Sequence, residues 1–147
     1  MLIDMQGIHD FLVYLTRLAE FKSKENYIPY LTFYKIKYDK SIQNSLVTYF
    51  KENLESELTE VTFKQITTEL MSYVNYLSEP KVVIGEYSGS DVLASIKEEF
   101  NEYSTGLSEL EWKEIQSDFM ISFSVSGKVY VAQLDEDLLI FDFGFSD

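Results

Sequence analysis

Three consecutive stretches near the C-terminus decide the fold class: Phe119-Met-Ile-Ser-Phe-Ser-Val-Ser-Gly127, Lys128-Val-Tyr-Val-Ala-Gln-Leu134 and Asp135-Glu-Asp-Leu-Leu-Ile-Phe-Asp-Phe143. Phe119, Ile121, Phe123 and Val125 alternate with Met120, Ser122, Ser124 and Ser126, the period of two that gives a strand one buried face. Gly127 reads as a turn, Val129 to Val131 as a second strand, Asp135-Glu136-Asp137 as a second turn and Leu138 to Phe143 as a third strand. Strand, tight turn, strand, tight turn, strand is an antiparallel meander. Leu138, Leu139, Ile140, Phe141, Phe143 and Phe145 leave few polar positions. Either both faces of that strand are covered, or one face binds a partner or a second copy of the chain.

Upstream, the period becomes helical. Ser108-x-x-Glu111 reads as a capping box with Leu107 and Trp112 as its hydrophobic staple, predicting a helix whose Glu111, Glu114 and Asp118 form an acidic stripe. Ser90 caps a predicted helix that buries Val92, Ile96 and Phe100 and turns Asp91, Glu98 and Glu102 outward. Lys81 to Tyr87 reads as a short strand. Thr62-x-x-Gln65, with Val61 and Ile66 as staple, opens a helix carrying Leu70, Tyr73, Val74 and Leu77 on one face and ending before Pro80. Ser41 caps a helix with Ile42, Leu46, Tyr49, Phe50 and Leu54 inward. Residues 27–38 fit a strand or irregular segment better than a helix, because Tyr34, Ile36 and Tyr38 alternate with Lys35 and Lys37. Ile8, Leu12, Leu15 and Ala19 mark an amphipathic helix over about 5–22. The expected architecture is therefore α+β: a helix-rich N-terminal three quarters packed on a C-terminal three-stranded antiparallel β-meander, in a single domain spanning 1–147.

Composition narrows the chemistry. The chain has 147 residues, no cysteine and one histidine. Disulfides, thiolate metal sites, cysteine nucleophiles and multi-histidine metal centres are excluded together. His9 adjoins Asp10 on a helix, where neighbours diverge, so the two make no acid–base pair. The six glycines build no phosphate loop. Gly85-Glu-Tyr-Ser88-Gly89 misses the nucleophile-elbow spacing by one residue. Asp135, Glu136, Asp137 and Asp142 miss the calcium-loop spacing, with Leu139 and Ile140 at its fifth and sixth positions. Glu111-Trp-Lys113 matches half of a nuclease signature, but a helix there would separate the two side chains. No cofactor and no metal are expected. An acidic N-terminus without an apolar run predicts no export signal and no membrane span, hence a cytoplasmic protein.

Charge is the informative feature. Twelve basic and 25 acidic residues give −13. Residues 1–50 hold six basic and five acidic residues (+1), and residues 51–147 hold six basic and 20 acidic (−14). Such a surface repels phosphate backbones and anionic lipid and attracts basic partners. The candidate partner-binding set is Asp91, Glu98, Glu102, Tyr103, Glu111, Trp112, Glu114, Asp118, Asp135, Glu136, Asp137 and Asp142. Its carboxylates would stand in for phosphates, and its aromatic rings would supply contact area.

In size, acidity and lack of cysteine the chain is similar to small bacterial toxin-immunity proteins and phage-encoded nuclease inhibitors. That likeness is one of type, and no functional residue is carried over from it. The expected function is non-catalytic: occlusion of a basic protein partner, a toxin or another nucleic-acid-binding effector, without direct nucleic-acid contact. Two alternatives belong to other classes, a carboxylate-dependent enzyme using Glu111 and Asp118 and a homodimer formed through the meander.

Overall fold

The structure, a computed structural model, describes residues 3–22, 28–51, 57–77, 89–116 and 124–146. Its elements are α1 (Met5–Lys22), β1 (Ile28–Lys37), α2 (Ile42–Phe50), β2 (Glu57–Val61), α3 (Phe63–Leu77), α4 (Gly89–Tyr103), a 3-10 turn (Leu107–Glu109), β3 (Trp112–Gln116), β4 (Ser124–Leu134) and β5 (Asp137–Ser146). The five strands form one antiparallel sheet in the order β1-β5-β4-β3-β2. The class is α+β, but the three-stranded C-terminal meander is corrected to this five-stranded sheet, two of whose strands come from the first half of the chain.

Two local readings, at Gly127 and at Ser108, contribute to the difference, together with the unforeseen edge strand β2. Gly127 is not a turn: β4 runs through it, with Gly127 opposite Gly144 and a register shift between Ser124 and Ser126. The Phe119–Phe123 part of the expected first strand and the expected strand at 81–87 lie outside the described residues. The box at Ser108 does not open a helix. Gly106 (φ 98°) caps the 3-10 turn without any side-chain bond, and the chain then straightens into β3. In β3, Trp112 and Ile115 face opposite sides of the sheet, each toward its own core cluster, where a helix would have stacked them on one face.

The box at Thr62 does form. The Gln65 N–H donates to Thr62 Oγ1 at 3.1 Å, and the Thr62 N–H donates to Gln65 Oε1 at 2.8 Å. Ser41 caps α2 by accepting the Asn44 N–H at 3.0 Å. That helix ends at Phe50, earlier than predicted, because Lys51 turns left-handed (φ 57°). Asp4 caps α1, its Oδ1 accepting the Gly7 N–H at 2.8 Å. A Cβ on Gly7 would lie 2.6 Å from Asp4 Oδ2 and from the Tyr103 ring, so a larger residue here would have to displace the Asp4 cap and that ring.

The sheet is covered on both sides. Ile8, Phe11, Leu12 and Leu15 of α1, Ile66 and Leu70 of α3, and Ile96 and Phe100 of α4 pack on Leu31, Phe33, Trp112, Tyr130, Ala132, Leu139, Phe141 and Phe143. On the opposite face, Leu46 of α2 packs on Ile36, Val131, Leu138 and Ile140. Successive residues of β5 thus enter two different cores, which is why Leu138–Phe143 is an unbroken buried run. Full burial of side chains of this size contributes about 1.5–3 kcal/mol each. Phe33 and Phe141 are paired across β1 and β5, and their rings stack at 4.2 Å between centroids.

Candidate functional site

Register fixes which acidic residues meet. Lys37 and Leu134 both lie opposite Asp137, Trp112 lies opposite Ala132, and Val61 lies opposite Trp112. The end of β1, the β4–β5 turn, the start of β3 and the end of β2 therefore share one end of the sheet. The chain crosses from β4 to β5 in two residues, Asp135 (φ 53°) and Glu136, both exposed. A positive φ in a turn is one that aspartate tolerates better than most residues. The Tyr38 N–H donates to the Glu136 carbonyl at 2.8 Å and ties the turn to the entry of α2. The last turn of α4 feeds through Ser104–Gly106 into the 3-10 turn and β3, which brings Glu102 to the same end.

Of the predicted partner-binding residues, Glu102, Glu111, Asp135, Glu136 and Asp137 are gathered there. Glu98 stands one helical turn before Glu102 on the same exposed face. Asp4, Asp39, Glu60 and Glu109 join them, although the sequence offered no sign of it. Nine carboxylates (Asp4, Asp39, Glu60, Glu102, Glu109, Glu111, Asp135, Glu136, Asp137) and five cations (Lys35, Lys37, Lys40, Lys64, Lys113) lie at this end among the described residues. Asp137 forms an ion pair with Lys35 at 3.8 Å.

The remaining predicted residues lie elsewhere. Asp91 belongs to the first turn of α4, about 16 Å along the helix from Glu102. Asp118 lies outside the described residues. Glu114 points to the helical side and bonds Lys128 at 3.2 Å. Trp112 is 2% exposed, and its indole N–H donates to the Leu107 carbonyl at 2.7 Å, so it is a core residue rather than a contact residue. Tyr103 is half-buried, its ring 6.1 Å from that of Phe11. Asp142 is buried on the α2 side of the sheet, about 17 Å along β5 from Asp137.

Two tyrosines are raised in pKa by burial and by nearby acids. Burial, then the Asp142 carboxylate, then Tyr49 push the Tyr34 hydroxyl well above its ordinary pKa. Burial, then Glu114, then Glu69 do the same to Tyr130.

A groove of about 520 Å³ opens at the sheet end, between the β2–α3 junction and the segment Ser108–Lys113. Glu60 and Lys113 are cross-strand partners on one face of the sheet, and both line the groove with Glu111. The objection to Glu111-Trp-Lys113 that rested on a helix is thereby overturned: Lys113 stands on a strand and Glu111 immediately precedes it. No third metal-ligating side chain converges with them among the described residues.

No protein-family model matches this chain, and neither a curated protein nor a solved structure matches it. Among the described residues no helix is long and apolar enough to cross a membrane.

Proposed function

We propose that this chain is a non-catalytic, cytoplasmic binding protein whose acidic sheet end occludes the nucleic-acid-contacting surface of a basic protein. A toxin-immunity protein directed against a nuclease or a similar effector fits this description. The reading is carried by one observation, the collection of nine carboxylates against five cations where four parts of the sheet and the ends of the neighbouring helices converge. Carboxylates placed so mimic the spaced charge of a phosphate backbone and accelerate association with a basic surface. Asp135 and Glu136, on a two-residue turn braced by Tyr38, present their charge from a short and well-supported loop.

The test is electrostatic and functional. Basic nucleic-acid-binding proteins captured from nuclease-treated native lysate should lose affinity by tenfold or more as salt rises from about 50 to about 500 mM. Each captured partner should lose nucleic-acid binding or cleavage in a one-to-one mixture with this chain. Capture that is indifferent to salt, or that leaves the partner active, removes the reading.

Self-association through Leu138–Phe143 has no exposed apolar face to use, because that run is interior on both sides. A phage-encoded inhibitor would work by the same occlusion, and its genetic neighbourhood separates it from an immunity protein.

A further inference from the structure

We infer that the groove between the end of β2 and the start of β3 seats one arginine side chain of a basic protein segment. The inference rests on the acidic-docking reading and narrows it to a single pocket. At about 520 Å³ the groove lies within the roughly 300–1,000 Å³ range of small-ligand sites and has room for an arginine side chain with its flanking backbone.

Its bed is apolar and fixed. Phe63 is half-buried, with its ring 6.3 Å from that of Phe100 and 6.1 Å from that of Trp112, and Trp112 is held by its indole hydrogen bond. Its rim is charged. Glu60 and Glu111 are exposed, and neither is engaged in an ion pair or side-chain hydrogen bond among the described residues. Lys113, opposite Glu60 in the ladder, offsets one of the two charges and leaves the rim at −1.

That balance selects a cation. The N-terminus of α3, which also borders the groove, does not reverse it, because Thr62 and Gln65 already engage each other's backbone N–H groups and leave fewer donors for an anion. Between cations, the bed and rim favour guanidinium over ammonium. A planar, weakly hydrated guanidinium lies against an aromatic ring while its N–H edges meet carboxylates in pairs, whereas an ammonium is compact and strongly hydrated.

The experiment titrates the full chain by NMR with a short arginine–glycine peptide and with its lysine counterpart at low salt. The single tryptophan supplies one indole signal as a reporter. The arginine peptide should shift that signal and the amides of Thr62 to Gln65, and the lysine peptide should bind at least about threefold more weakly. Glu60→Gln with Glu111→Gln should weaken the arginine peptide about tenfold. Glu69→Gln with Glu99→Gln, an equal charge change at exposed helix positions, should weaken it less than about twofold. Equal weakening by both pairs, or shifts centred away from the groove, overturns the arginine seat while leaving the acidic docking surface standing. Absence of binding also overturns the seat, and the salt-dependence experiment then judges the wider reading on its own.

Discussion

The two faces of the sheet are filled in different ways. Three helices and the 3-10 turn close the first face over interlocked rings, with Phe141 lying 4.2 Å from Phe33, 5.5 Å from Trp112 and 6.3 Å from Phe100. The other face is met by the nine-residue α2, whose Leu46 is its fully buried apolar contribution, and it holds the buried Asp142 and the half-buried Tyr34. Tyr49, on the same short helix, remains 55% exposed. Stability is therefore concentrated on the first face, and the second face is the one whose cover can open locally while the sheet persists.

The sharpest way to break that contrast is Phe141→Ala. It removes a ring with three aromatic neighbours and should cost about 3–5 kcal/mol in chemical denaturation, enough to unfold much of the population. Leu46→Ala on the opposite face should cost about 2–3 kcal/mol. In hydrogen exchange its effect should appear first as faster exchange in α2, with the amides of β4 and β5 slow by comparison. Equal costs for the two variants, or uniform exchange, would show that both faces open as one unit.

The third probe is pH. Tyr34 holds its proton in the fold beyond the pH at which the unfolded chain releases it, near 10. Between those two pKa values the folded state binds more protons than the unfolded state, so stability falls as pH rises above about 10. Tyr34→Phe should make that alkaline fall shallower by up to about 1.4 kcal/mol per pH unit. Tyr130→Phe should do the same from the other face, and an unchanged alkaline slope in both variants would contradict the shared burial of the two hydroxyls. The smallest effect belongs to Thr62→Ala. It removes one half of the reciprocal cap on α3 and should lower the denaturation midpoint by the equivalent of about 1 kcal/mol.

The two capping boxes show how far the sequence carries. Thr62-x-x-Gln65 is followed by apolar residues at helical spacing, Ile66 and Leu70, and the helix forms with both cap bonds in place. Ser108-x-x-Glu111 has the same pattern but is followed by Trp112-Lys-Glu-Ile115, a segment that satisfies two cores from opposite faces of a strand. A box specifies a helix start only when the residues after it can bury one face. β2 escaped notice for a related reason: Glu57, Thr59 and Glu60 are exposed, and an edge strand of five residues needs little apolar pattern. α1, α2, α3 and α4 were legible because each repeats its apolar residues within its own span. The candidate site was legible as charge and hidden as geometry. Glu60, Glu111 and Asp135 meet only through strand pairings that no local pattern announces.

The order of the strands also governs how the molecule is made. β5 is inserted between β1 and β4, and the Thr32 hydroxyl donates to the Asp142 carbonyl across 110 positions of the chain. During synthesis β1 must wait, with Leu31 and Phe33 uncovered, until almost the whole of the remaining sequence has left the ribosome. Such distant pairing makes folding slow and exposes nascent chains to premature association. Cells producing this protein should accumulate it more faithfully when translation is unhurried or when chaperones shield the emerging N-terminal half.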